Sequence, residues 1–424
     1  MYAVRCPSCP NPSNRRQANM PPASTRTAES TGGWLEVFLV FLKLGLTSFG
    51  GPIAHLGYFR EEIVARRKWI DDKTYSDLVA LCQFLPGPAS SQVGIALGLS
   101  RAGWLGGLSA WIGFTLPSAA ALIAFGYGLN TFVGLGNSGV IHGLKVAAVA
   151  VVAQAVWGMA RTLCPDTQRV CLTLLAVVLS LFLPTAYGQI IAIALTAGLG
   201  ILLVKPSSAQ LVSNHYFRVG KAAGIVALIF FFGLLFLLPI ASEVLRNDSL
   251  MLAERFIRSG ALVFGGGHVV LPLLQSAVVT PNWVDASDFL AGYGAAQAVP
   301  GPLFTFAAFL GTVSKIGPGG WVGGLLCLIA IFVPAALLII GALPFWSELR
   351  ERTTLQSAMA GANAGVVGVL AAALYDPVWT TAIHSRADFA LALIAFVGLV
   401  RFRASPLLVV AFAAIVGGLL GQLQ

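Results

Sequence analysis

From Trp34 to the C-terminus the chain is a succession of long apolar runs separated by short polar or glycine- and proline-rich breaks. Runs such as Trp104–Phe125, Leu172–Val204 and Ile225–Ile240 are continuously apolar. They lack the in–out alternation of a membrane β-barrel strand, so they predict helices that cross a bilayer. Full spans fall near 104–128, 143–161, 170–184, 188–204 and 223–241. Two other apolar segments, roughly 34–56 and 78–100, are interrupted by SFGGPIAH (Ser48–His55) and LPGPASSQ (Leu85–Gln92). Glycine and proline in such a place end one helix and open another. The pattern predicts hairpins that enter the membrane and return to the same side. Irregular backbone at that depth is tolerated only where protein buries it or where it lines a cavity.

The same pattern returns about 215 residues later. FLKLGLTSFGG at Phe41–Gly51 parallels FIRSGALVFGG at Phe256–Gly266, with Lys43 opposite Arg258. Trp69, Asp71, Gln83 and Pro86-Gly87-Pro88 match Trp283, Asp285, Gln297 and Pro300-Gly301-Pro302. WLGG at Trp104–Gly107 matches WVGG at Trp321–Gly324, and Pro117 matches Pro334. Matches in this order are a duplication.

Charge then orients the copies. The first half carries Arg60, Arg66, Arg67, Lys68 and Lys73 after its first break, whereas the equivalent stretch Leu271–Phe289 has no basic residue. By the positive-inside rule these two loops lie on opposite sides of the membrane. With the broken segments as hairpins, Arg161, Arg169, Lys205, Arg218, Lys221, Arg350, Arg352, Arg401 and Arg403 all fall inside. The expectation is an all-α polytopic membrane protein of two inverted-topology repeats with broken, re-entrant helices. Its parts are a disordered tail over 1–33, a first repeat over 34–204, a cytoplasmic loop and linking helix over 205–250, and a second repeat over 251–424.

Composition agrees. The 424 residues are 57% hydrophobic and 10% charged, against about 25% charged in soluble domains. The net charge of +9 suits basic cytoplasmic loops in a bacterial inner membrane and does not itself indicate nucleic-acid binding. Residues 1–33 hold no apolar stretch that would form a signal peptide, and Met20 is an alternative start. Of six cysteines, Cys6 and Cys9 form a lone CxxC without a second ligand pair, and the rest read as small buried hydrophobes. No Walker loop, HExxH, nucleophile elbow or metal-ligand cluster is present, so neither an enzyme nor a resident cofactor or metal is expected. Any pumping must draw on an ion gradient.

The candidate chemistry gathers at the breaks. In LPGPASSQ the restarting helix presents free N–H groups with Ser90 and Ser91 beside them, which is an anion site. In the second half PGPLFTF offers Thr305. Lys43 and Arg258 sit about a turn before the glycine breaks, either binding an anion or snorkelling to the interface. His55 and His268 lie beside the breaks at unmatched positions, as oxyanion ligand, proton carrier or structural donor. Gln83, Gln92 and Gln297 are neutral donors for an oxyanion or between helices. Ser48, Gly50, Gly51, Gly265 and Gly266 complete the broken backbone. Glu61, Glu62, Asp71 and Asp72 read as solvated partners of the basic loop, and Lys145, opposite Asn363, as a weaker candidate.

SFGGPIAH, KWID, FLPGP, FGGGHVVLPLL and QAVPGPLF, in this order from Trp34 to the C-terminus, resemble the chromate ion transporter family in its long, two-domain form. The resemblance implies export of chromate from the bacterial cytoplasm, coupled to the proton gradient, and resistance to chromate. Sulfate has the same shape and charge and is the alternative cargo, with import the alternative direction. Half-helix N-termini, hydroxyls and one or two basic side chains are what would replace the water around such a dianion. Besides the anion, the expected partners are protons and the lipid bilayer, with a homodimer one assembly open to it.

Overall fold

A computed structural model describes residues 33–49, 51–131, 139–183, 186–205, 219–264, 269–349 and 352–422. The expected tail, Gly33 apart, lies outside these residues, as do Cys6, Cys9, Gly50, Gly265, Gly266 and His268. Among the described residues there are helices and no strands.

The first broken segment is α1 (Trp34–Thr47) and α2 (Gly51–Phe59), the latter widening into a π-turn over Arg60–Arg66. A helix of 14 residues rises about 21 Å, short of the ~30 Å hydrocarbon layer. α1 is therefore a half-helix, as its interrupted sequence demands. The second break separates α3 (Asp72–Phe84) from α4 (Ala89–Thr131). α4 folds back on itself at Ala102 and Gly103, where Gly103 has φ +63°, so its first arm ends in a tight hairpin. The arms touch through Gly98 and Gly106, a spacing that no side chain could share. Then come α5 (Gly139–Leu163), α6 (Thr167–Phe182), α7 (Ala186–Leu203) and the linking α8 (Lys221–Leu245). The apolar runs predicted these within a few residues.

The second half repeats the series as α9 (Asp248–Ala261), α10 (Val270–Leu274) with a π-turn at Gln275–Val279, α11 (Ala286–Ala298), and α12 (Phe306–Val313) after a 3₁₀ turn at Leu303–Thr305. α13 (Gly320–Ala342), the short α14 (Trp346–Leu349), α15 (Thr353–Ala373), the short α16 (Thr380–Ala382), α17 (Arg386–Val400) and α18 (Pro406–Gln422) complete it. Close contacts recur at matched positions. Gly45 of α1 lies against the Phe114 carbonyl of α4, and Gly260 of α9 against the Ile331 carbonyl of α13. Gly311 meets Gly323 as Gly98 meets Gly106. The π-turns close alike, Trp69 N–H donating to Ile63 O at 3.0 Å and Trp283 N–H to Val278 O at 2.9 Å. Small residues let backbones approach where lipid offers no hydrophobic drive.

The helices that follow each crossing are exchanged between halves. α5 packs on α17 and α18 of the second half, while α15 packs on α6 and α7 of the first. The contact is again glycine-mediated, Gly143 on Gly417 and Gly361 on Gly200.

Two expectations are corrected, and the first is Cys171, which is exposed on the apolar surface of α6 rather than buried. Glu62 is not a solvated loop acid but is 7% exposed within the π-turn, because three basic side chains converge on it.

Candidate functional site

The two PGP breaks reach across the molecule. Gly87 donates its N–H to Val263 O at 2.6 Å, and Gly301 donates its N–H to Ser48 O at 2.9 Å. Ser48 and Val263 hold the same place in the two copies, immediately before Phe49 and Phe264 of the FGG breaks. Each PGP turn thus hydrogen-bonds the other half's FGG break, and four breaks meet as two reciprocal pairs. Both glycines need positive φ, +118° at Gly87 and +104° at Gly301, which L side chains rarely adopt. Each also abuts the residue after the other half's mid-helix proline. A Cβ on Gly87 would lie 2.9 Å from Ala335 Cβ, and one on Gly301 would lie 2.9 Å from Ser118 Oγ.

Polar side chains line the first half's side of this crossing. His55, on α2, is 1% exposed and has Nδ1 3.5 Å from Ser90 Oγ, with its ring edge-on to Phe114 at 5.3 Å. Gln92 donates Nε2 to Pro86 O at 2.9 Å and lies 3.4 Å from Ala335 O, stapling the break to the second half. Several buried atoms on these segments have no protein partner: Ser48 Oγ, His55 Nε2, Ser91 Oγ, Gln92 Oε1, Thr115 Oγ1 and Gln297 Nε2. Buried polar atoms are ordinarily satisfied, which sets this group apart from the apolar packing around it. The amides of Gly87 and Gly301 are already engaged. The N–H groups open to an anion are those of the first turn of α4, Ala89–Ser91, which have no partner within the helix.

The second half mirrors the backbone but not the chemistry. Val270 stands where the first half has His55, and Phe304 where it has Ser90. Thr305, opposite Ser91, donates its hydroxyl to Pro302 O at 2.8 Å. Pro86, Pro88, Pro300 and Pro302 shape the turns, with Pro88 O accepting from Gln92 N–H at 3.0 Å. Gly51 opens α2 at φ +79°.

Other expected contacts lie elsewhere. The Lys43 side chain is 55% exposed and its Nζ is 3.3 Å from Glu62 Oε2. Arg258 Nε is 3.1 Å from Glu254 Oε1. Gln83 is exposed on α3, unlike its counterpart Gln297. Asp71 caps α3, accepting from the N–H groups of Lys73 and Thr74 and from the Thr74 hydroxyl. Those bonds, the hydroxyl's first, hold its carboxyl below the ordinary range. The matched Asp285 makes no such cap and pairs with Lys315 at 2.7 Å. Thr115, Ser118 and Glu254 were not singled out from sequence. For the first two the signal was the matched prolines at 117 and 334, which mark where the long helices pass the crossing. Among the described residues no cluster of metal-ligating side chains occurs.

The sequence signature of the chromate transporter family matches residues 35–201 and again residues 250–418. The chain belongs to the chromate transporter family. Relatives of this chromate transporter family member include the chromate transport protein of Pseudomonas aeruginosa, 29% identical over 388 residues and covering 88% of each chain. The chromate transport protein of Cupriavidus metallidurans is 26% identical over 392 residues, 90% of this chain and 92% of its own. A shorter relative, the uncharacterized transporter YwrA of Bacillus subtilis, is 33% identical over 117 residues, 28% of this chain and 64% of its own. No solved structure matches. The chain is a multi-pass membrane protein of a transporter family.

Proposed function

We propose that the chain is a secondary transporter that carries chromate out of the bacterial cytoplasm across the inner membrane, coupled to the proton gradient, and so confers chromate resistance. Its repeats, 34–204 and 251–424, are inverted about the crossing, and the linking helix α8 supplies the odd span that turns the second copy over. The single observation that carries the reading is the reciprocal crossing of the four breaks, with unpartnered buried polar atoms gathered beside it. A tetrahedral dianion is held there by the first-turn amides of α4 and by Ser48, His55, Ser90, Ser91 and Gln297, with no net charge from the site itself. Neutral donors of this kind bind a dianion and still release it. Access alternates as the bodies around the crossing tilt.

Chromate uptake into everted membrane vesicles with an acidified interior tests this. Uptake that requires the protein, collapses with a protonophore and falls for His55→Ala and for Ser91→Ala is the expected result. Protein-independent uptake refutes the function. Uptake insensitive to the protonophore refutes the coupling alone, and preferential competition by sulfate assigns the cargo to that anion instead.

A further inference from the structure

Each half holds one buried carboxylate against the cation that precedes its glycine break, and the two carboxylates come from different elements. In the first half Glu62, on the π-turn after α2, faces Lys43 Nζ at 3.3 Å, Arg67 Nε at 3.0 Å and Arg66 Nη1 at 3.6 Å. In the second half Glu254, on α9 itself, faces Arg258 Nε at 3.1 Å and Arg255 Nε at 3.6 Å. The carboxylate side chains are 9% and 6% exposed. The positions are unrelated in the repeat: the residue matching Glu62 is Ala277, and the one matching Glu254 is Leu39. Duplication alone would not produce this, so the two pairs were built separately on one pair of matched cations.

The surroundings are matched too. Arg67 and Arg101 lie over the Trp69 ring at 6.0 and 5.3 Å, and Arg255 lies over Trp283 at 5.5 Å. In each half, then, an aromatic face holds the neighbouring arginine while the carboxylate takes the matched cation. Each pair is held by one 3.3 Å hydrogen bond, from Lys43 Nζ to Glu62 Oε2 and from Arg258 Nη2 to Glu254 Oε2. Arg258 Nε adds a 3.1 Å contact to Glu254 Oε1 that lacks hydrogen-bond alignment.

We infer that Glu62 and Glu254 are positioning residues: built-in surrogate anions that occupy Lys43 and Arg258 and give them up to an oxyanion entering or leaving the crossing. The inference rests on the oxyanion reading above. On the inverted arrangement one pair stands at each mouth. The cation captures the dianion at the mouth, and the returning carboxylate displaces it, so that the anion is not trapped. The carboxylate therefore sets affinity and release together.

Initial rates of chromate transport for wild type, Glu254→Gln, Glu62→Gln and the two Glu→Asp variants, in vesicles normalised for folded protein, test this. Removing the competing charge without changing shape is expected to lower KM several-fold and to lower kcat with it. The Asp variants should fall between Gln and wild type. In the double variant Glu254→Gln/Arg258→Ala the drop in KM should vanish, because the cation it liberates is absent. A merely structural carboxylate would lower the amount of folded protein and leave KM unchanged, which overturns the inference. So does failure of both Gln variants to fold together with wild-type KM in the Asp variants. Wild-type protein that moves neither chromate nor sulfate overturns this inference and the transport reading together.

Discussion

Replacing Gly87 by alanine asks whether the crossing is as tight as its geometry implies. The residue sits at φ +118°, a region open essentially to glycine alone, and a non-glycine residue held there costs about 1–3 kcal/mol. The new Cβ would stand 2.9 Å from Ala335 Cβ and 3.1 Å from Gln92 Nε2. Ala335 has no rotamer to change, so the backbones must separate, and overpacking of this kind costs a further ~1–3 kcal/mol. Separation also stretches the Gly87 N–H bond to Val263 O. The expected loss is roughly 2–6 kcal/mol, a large share of the ~5–15 kcal/mol that ordinarily holds a domain folded. Thermal unfolding of the detergent-purified protein, followed by tryptophan fluorescence, should show a midpoint lowered by several degrees, and vesicle uptake should be lost. Gly301→Ala should be milder, because the atom it meets at 2.9 Å is the rotatable Ser118 Oγ. Gly57→Ala is the control, since nothing lies within 4 Å of a Cβ there. A Gly87→Ala protein with the midpoint and uptake of the Gly57→Ala protein would refute the reciprocal crossing.

Asp71→Ala removes the cap of α3 and should lower stability by about 1 kcal/mol at neutral pH. Because the folded carboxyl titrates below its unfolded value, the stabilisation is complete above the ordinary Asp range and lost as pH falls through the folded value, so unfolding midpoints of wild type and variant should converge in acid. Gln92→Leu leaves Pro86 O without its donor and should cost about 1–3 kcal/mol, read by the same unfolding measurement. Gly45→Val should prevent α1 from seating against the Phe114 carbonyl and abolish accumulation of folded protein, whereas Gly33→Val, with nothing within 4 Å, should not; a membrane-fraction blot reads both.

Long continuous apolar runs made the helices legible, because nearly every span is bounded by a glycine, proline or charge that lipid does not tolerate. The breaks at Ser48–Gly51 and Leu85–Pro88 were legible for the same reason, and the repeat showed that they are two pairs. What could not be read was which break meets which. That Gly87 reaches Val263, and Gly301 reaches Ser48, depends on how the halves pack, and local sequence carries no trace of it. The partners of the cations were hidden for a related reason: Lys43 and Arg258 stand beside the breaks in sequence, but Glu62 and Glu254 hold them, and neither acid sits at a matched position. Thr115 and Ser118 were hidden inside an ordinary apolar run, where only the flanking Pro117 marked the place.

The exchange of α5 and α15 has a consequence for assembly and for motion. The first repeat does not cover its own α5; that helix packs on α11, α15, α17 and α18 of the second. A chain carrying one such repeat would need a second copy to bury the same faces and to complete the crossing. On the proposed alternating access, the tilting pieces would be hybrids drawn from both repeats, α5 with α17 and α18, and α15 with α6 and α7, and neither repeat would travel as a unit.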